Sequence, residues 1–273
     1  MFFKILRYDI KNGLVKEYKK YLLAAGFFVI VGFTYRLFLA FDDVQTLGNY
    51  LLYVHKGMEE YVFGYLNRFD IPVIWICFHM LAYYIVMYYP YNDIDGFGKS
   101  ILINSKNRKL WFLSKCCWVV FSIVLYFAVF MAVQTVICLI FGDTVSLDVT
   151  QAEMYGRIRF TVMDFEGYPT EIPLQLILLP LLVCISVGLV QLTLSLIIKP
   201  LYSYIVSAAV LIVSAYYVSP FLIGNYAMVQ RSSMFIENGV STAQGLICCG
   251  VVCAASVIAG LIIFNRYDIL NKE

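Results

Sequence analysis

The chain has 273 residues, 62% of them hydrophobic and 14% charged, with a formal net charge of +2. Soluble domains are about half apolar and about a quarter charged, so this composition excludes that class and indicates an integral membrane protein. The small net charge, with its cations gathered in a few segments, argues against nucleic acid as a partner.

Residues 1–20 set Phe3, Leu6, Ile10 and Leu14 among Lys4, Arg7, Lys11, Lys16, Lys19 and Lys20. That is the pattern of an interfacial helix with its basic face toward anionic headgroups. A first span is expected over 21–41, long enough to cross a hydrocarbon core of about 30 Å. The basic-then-apolar opening is like a signal sequence, yet it has no small-x-small cleavage site and reads as a retained helix. Arg36 lies near the outer end of this span, where it can snorkel, with Asp42 or Asp43 as partner.

A polar outer loop, 42–70, leads to a second span over 71–91, entered through Pro72 and left through Pro90. Between it and the third span lies NDIDGFGKSILINSKNRKLWFLSK, 92–115, with Lys99, Lys106, Arg108, Lys109 and Lys115 against Asp93 and Asp95. The positive-inside rule places this segment in the cytoplasm, and from Lys99 onward it has the apolar periodicity of a short amphipathic helix along the inner surface. The third span is expected over 116–142.

An acidic outer segment follows over 143–171, and its stretch 157–167 alternates like a hairpin or small β-rich cap. The fourth span, 172–198, contains Pro180 as a kink whose freed carbonyl needs a neighbouring helix. Lys199-Pro200 makes a very short inner turn before the fifth span, 201–218. Residues 219–242 are too apolar for a simple loop and too broken for a span, which suits half-inserted, re-entrant helices packed against protein. The sixth span is 243–264, and 265–273 form a cytoplasmic tail. Inner segments hold 14 of the 20 Lys and Arg, so both termini are expected inside. The expected fold is an all-α membrane protein of six transmembrane helices in one domain, 1–273.

Cys77, Cys116, Cys117, Cys138, Cys184, Cys248, Cys249 and Cys253 fall in or beside apolar runs. They read as small buried hydrophobes, not as disulfides or ligands. Gly98-Lys99-Ser100 resembles the end of a phosphate-binding loop, but the required first glycine would stand at position 93, which is Asp93. Glu59-Glu60 and His79 are like the inventory of an intramembrane metalloprotease, yet His55 falls in the outer loop and one intramembrane histidine is too few ligands. All 18 acids lie outside the spans or at their edges, which disfavours transport driven by carboxylate protonation. The uncharged Gln134, Gln175, Gln191 and Gln244 are expected in interhelical hydrogen bonds. Arg36, His79, Gln134 and Gln191 are the candidates for lining a substrate path.

This arrangement resembles the type-2 export permeases of ATP-binding-cassette (ABC) transporters. The stretch carrying the resemblance best is GKSILINSKNRKLWFLSK, 98–115, with a leucine-rich turn, a Ser-x-x-[Arg/Lys] cluster and a lysine opening the third span. FNRYDIL, 264–270, is similar to common endings of that family. The resemblance implies a half-transporter, in which two permease chains, identical or paralogous, bind two cytoplasmic ATPase subunits. It also implies that this chain has no enzymatic activity or bound cofactor of its own, ATP and Mg2+ being held by the ATPase. The helix around 101–111 would be the coupling helix, with Lys106, Arg108 and Lys109 meeting acidic residues and Leu102 and Trp111 as apolar anchors. The cargo expected is amphipathic (a peptide such as an antimicrobial peptide, a lipid-linked molecule or a drug), and the location a bacterial cell membrane. The alternative is a non-transporting immunity or sensor subunit that binds a peptide at its outer face.

Overall fold

A computed structural model describes residues 2–40, 44–61, 69–96, 98, 99, 102, 107–150, 152–154, 172–236 and 238–267. The described residues form helices and loops, with only two isolated β-bridges, Thr46 to Thr144 and Ser232 to Val240. Five helices are long and apolar enough to cross a membrane, and a sixth apolar helix, Pro200–Tyr216, has 17 residues.

Helix α1 runs unbroken from Phe2–Thr34 and ends in a π-turn, Tyr35–Leu39. The expected surface helix and first span are therefore one rod. Nothing in the segment breaks it: it has no proline, and Gly13 is needed because a Cβ there would collide with the indole of Trp118. Its buried line, Ile5, Asp9, Gly13, Glu17, Ala24, Phe28 and Val31, recurs with helical spacing and lies mainly against one neighbour.

That neighbour is α5, Arg108–Ile140, which follows three shorter helices in the chain. Helix α2, Leu47–His55, is capped by Thr46, whose hydroxyl accepts from Asn49 N. The sequence suggests an outer loop here, but every residue of α2 is buried. Helices α3, Val73–Val86, and α4, Tyr89–Asp95, together make one candidate span, Val73–Ile94, with Pro90 in the first turn of α4. Pro is tolerated in a first turn because its missing N–H has no helical partner there. Asn107 caps α5, its side chain accepting from Leu110 N, so α5 starts eight residues before the expected third span.

Contacts rise in the same sense along α1 and α5. Asp9 meets Lys115, Tyr21 donates to Ser122 O, Phe28 packs on Tyr126 and Phe130, and Gln134 donates to Phe28 O. The two 33-residue helices are thus parallel, and at about 1.5 Å per residue each is about 50 Å long.

The second half follows the same logic. A π-turn, Leu174–Leu178, opens α6, Leu179–Leu194, with Pro180 in its first turn. Widening the ladder just before Pro180 accommodates the proline. Helix α7 is Pro200–Tyr216 and α8 is Thr242–Arg266, opened by a capping box of Ser241 and Gln244. Gln244, expected in an interhelical bond, is thereby used at a helix start. Helices α6 and α8 also run parallel: Ser186 donates to Cys249 O and Thr193 to Ser256 O. Between α7 and α8 the chain makes two 3-10 turns, Ile223–Ala227 and Val229–Arg231, both buried. Trp75 of α3 donates to Ala227 O, anchoring the first turn.

The centre is aromatic. Phe28, Phe78, Tyr126 and Phe130 stack from α1, α3 and α5 with centroid separations of 4.9–5.7 Å. Such pairs favour tilted and edge-on contacts, and they fill the middle of the bundle. All eight cysteines are free. The candidate β-rich stretch, 157–167, lies outside the described residues.

Candidate functional site

The N-terminal ends of α1 and α5 meet the C-terminal end of α8 at one end of the bundle, where a buried charge cluster forms. Lys115 Nζ donates to Asp9 Oδ1 and, at 2.6 Å, to Asp93 Oδ2, and all three side chains are at most 2% exposed. Ser114 Oγ donates to Asp9 Oδ2 at 2.5 Å and Tyr89 OH to Asp9 Oδ1 at 3.2 Å. The ammonium also sits 5.0 Å from the Tyr89 ring centroid and 4.8 Å from that of Trp111. One cation serves two carboxylates, so α1, α4 and α5 are held by a single side chain. Removing one member of a buried pair costs about 3–5 kcal/mol, since its partner's charge is left uncompensated.

The same two turns of α5 grip α8. Trp111 stacks on Phe264 at 4.8 Å and 14°, and Arg108 donates to the carbonyls of Asn265 and Tyr267, at 3.1 and 2.7 Å. Those carbonyls lie at the helix end, where backbone acceptors lack intrahelical donors and a cation is favoured. Phe112 fills the space left by Gly260, where a Cβ would strike its ring. The base of α5 is therefore a hub bonded to α1 and α4 on one side and to α8 on the other.

This alters the expected coupling element. Arg108, Lys109 and Trp111 belong to the first turn of the long helix α5, not to a separate surface helix. Trp111 and Leu102, expected as outward anchors, are buried at 1% and 4% exposure. Arg108 is occupied by the α8 carbonyls, and Lys109 is exposed. Lys106 lies outside the described residues. A sequence reading could place Lys115 at the opening of the third span, but Asp9 is 106 positions away and its partnership has no local signal.

The candidate path residues are separated and individually engaged. Arg36 Nε donates to Asp143 Oδ2 at 2.9 Å, so its partner is Asp143; Asp42 and Asp43 lie outside the described residues. Gln134 binds Phe28 O, and Gln191 donates to Tyr83 O while accepting from Ser207. His79 lies 2.8 Å from Trp75 O through Nδ1, with the ring of His55, carried in by α2, at 6.3 Å. His55 lies in the expected outer loop by sequence, but the burial of α2 carries it into the aromatic centre.

The opposite end carries a second polar network. Asp143 accepts from Arg36, from Tyr50 OH at 2.7 Å and from Gln45 N at 3.0 Å. Burial and the Asp143 carboxylate both raise the pKa of the Tyr50 hydroxyl, so it stays a donor. Arg231 is fully buried and donates to the carbonyls of Met58, Glu59 and Ala215, and burial lowers its pKa to about 10. It ties the loop after α2 and the end of α7 to the segment before α8. Among the described residues no group of three or more His, Cys, Asp or Glu could hold a metal ion.

Five long apolar helices packed around an aromatic centre, with a buried polar network at each end, define a multi-pass helical membrane protein. Sequence comparison then gives its family. The chain belongs to the family described as Protein of unknown function (DUF2705), whose model matches residues 22–270. No curated protein and no solved structure matches it.

Proposed function

We propose that the chain is the membrane-spanning permease subunit of an ATP-driven ABC exporter, moving an amphipathic substrate with energy from a separate ATPase chain. In this reading there are six crossings with both ends cytoplasmic. Helix α7, at about 26 Å, supplies the sixth. The bacterial cell membrane is its location, and a second permease completes the complex. ATP and Mg2+ belong to the ATPase.

The observation that carries the reading is the hub at the base of α5. A pull or push on the basic segment before Arg108 acts on one helix that is bonded to α1, α4 and α8 by Lys115, Trp111 and Arg108. Motion of a packed helix base can shift a bundle between arrangements as a unit. Lys109, exposed beside it, offers the charge for an acidic docking surface.

Gentle extraction from the native membrane, followed by mass spectrometry, tests the partnership. A stoichiometric P-loop ATPase is the expected companion. Recovery of the chain alone, under conditions that retain other transporter complexes, would remove this reading. Lys109→Glu, alone and with Arg108→Glu, should then sever ATP hydrolysis from export; because Arg108 also holds α8, the single Lys109 variant separates docking from packing.

A further inference from the structure

The exposed side of α1 has the polarity order of a phospholipid. Asp9 and Glu17, the only acids of α1, are turned inward at 0% and 7% exposure, whereas Lys4, Arg7 and Lys11 are exposed. At about 100° per residue, Lys4, Arg7 and Lys11 share one side of the helix with Val15, Tyr18, Leu22, Gly26 and Val29. The side is cationic for its first turns and then apolar, with exposed Lys19 at its border beside Val15. Val15, Tyr18 and Leu22 are 53–65% exposed, and a Cβ added at Gly26 would meet nothing within 4 Å, leaving a notch in the apolar part. Neither Arg7 nor Lys11 has an ion pair among the described residues.

Depth along the helix agrees. Counting from Arg36 at the far rim, a core of about 30 Å uses about 20 residues, and the headgroup layer several more. With a tilt of about 20°, the core ends near Val15, so Lys16, Lys19 and Lys20 snorkel back from just inside it, Lys11 falls in the headgroup layer and Arg7 reaches it from just beyond. We propose that this side of α1 binds an anionic glycerophospholipid of the adjoining leaflet, with its phosphate on Arg7 and Lys11 and its chains along Leu22, Gly26 and Val29. The upright rod makes this a site along the length of one lipid, distinct from a helix lying flat on the surface. Because Asp9 on the opposite side of the same turns holds Lys115, the lipid would brace the hub from behind. The proposal does not depend on the transporter reading.

The full chain, extracted in mild detergent and supplied with phosphatidylglycerol or phosphatidylcholine, can be examined by native mass spectrometry for retained lipid. Wild type should retain phosphatidylglycerol preferentially. A cation at an anionic membrane surface is worth about fivefold, so Arg7→Gln with Lys11→Gln should weaken that retention about thirtyfold, with phosphatidylcholine unchanged. Arg7→Lys with Lys11→Arg should restore it, and Gly26→Leu, filling the notch, should lower it without loss of thermal stability. Equal phosphatidylglycerol retention by wild type and the double Gln variant would overturn the site. So would an equal loss from Lys109→Gln, which would reveal only bulk charge. Loss of a bound acidic protein from the double Gln variant, with lipid retention intact, would assign this side to that protein instead.

Discussion

The two ends of the bundle solve the same electrostatic problem differently. At the α5 base, the single ammonium of Lys115 is shared by two carboxylates, Asp9 and Asp93, in a buried cluster. At the other end, Asp143 is held by one partly exposed guanidinium and by neutral donors, the Tyr50 hydroxyl and the Gln45 amide. Without Arg36, one carboxylate is left and neutral donors still hold it; without Lys115, two like charges are left in a buried site, although Ser114 and Tyr89 still donate to Asp9. The α5 end is thus the place where one change propagates to three helices, and the opposite end is built to tolerate it.

Lys115→Met sharpens that contrast most. It should cost about 3–5 kcal/mol, seen as a large drop in thermal midpoint in detergent, and adding Asp93→Asn should recover part of the loss. A single variant that melts with wild type would show that the cluster does not hold the base. Asp143→Ala should cost about 1–3 kcal/mol, because it removes the carboxylate that accepts from Tyr50 OH, Gln45 N and Arg36 Nε. Arg36→Gln should cost about 1 kcal/mol or less, its side chain being 19% exposed and its carboxylate otherwise satisfied. If Arg36→Gln proved as damaging as Lys115→Met, the asymmetry between the ends would be wrong. Lys109→Glu should shift stability by less than about 0.5 kcal/mol while abolishing ATP-driven export in proteoliposomes containing the whole complex.

The helical content and most span positions were legible because apolar length is a local property. Residues 243–264 read as a span and fall within Thr242–Arg266, for instance, since the apolar run itself fixes the helix. Helix α2 was not legible: LGNYLLYVH is short and mixed, and it is buried by packing against α3, α5 and the π-turns Tyr35–Leu39 and Leu174–Leu178. The start of α5 was misplaced because charge marks where a segment prefers water. Here Arg108 and Lys115 are instead satisfied inside the protein, by carbonyls of α8 and by acids of α1 and α4.

Composition and the spacing of apolar runs, by themselves, determined that the chain is a helical membrane protein and which segments are cationic. The membrane selects for those properties residue by residue along a short window. Only the tertiary structure decided which charges meet. Asp9, Asp93 and Lys115 become one cluster, and Arg36 finds Asp143, because parallel packing of α1 with α5 brings together residues about 20 to 110 positions apart. Helix register and close contacts such as Gly13 on Trp118 set that alignment, and no local stretch of sequence encodes it.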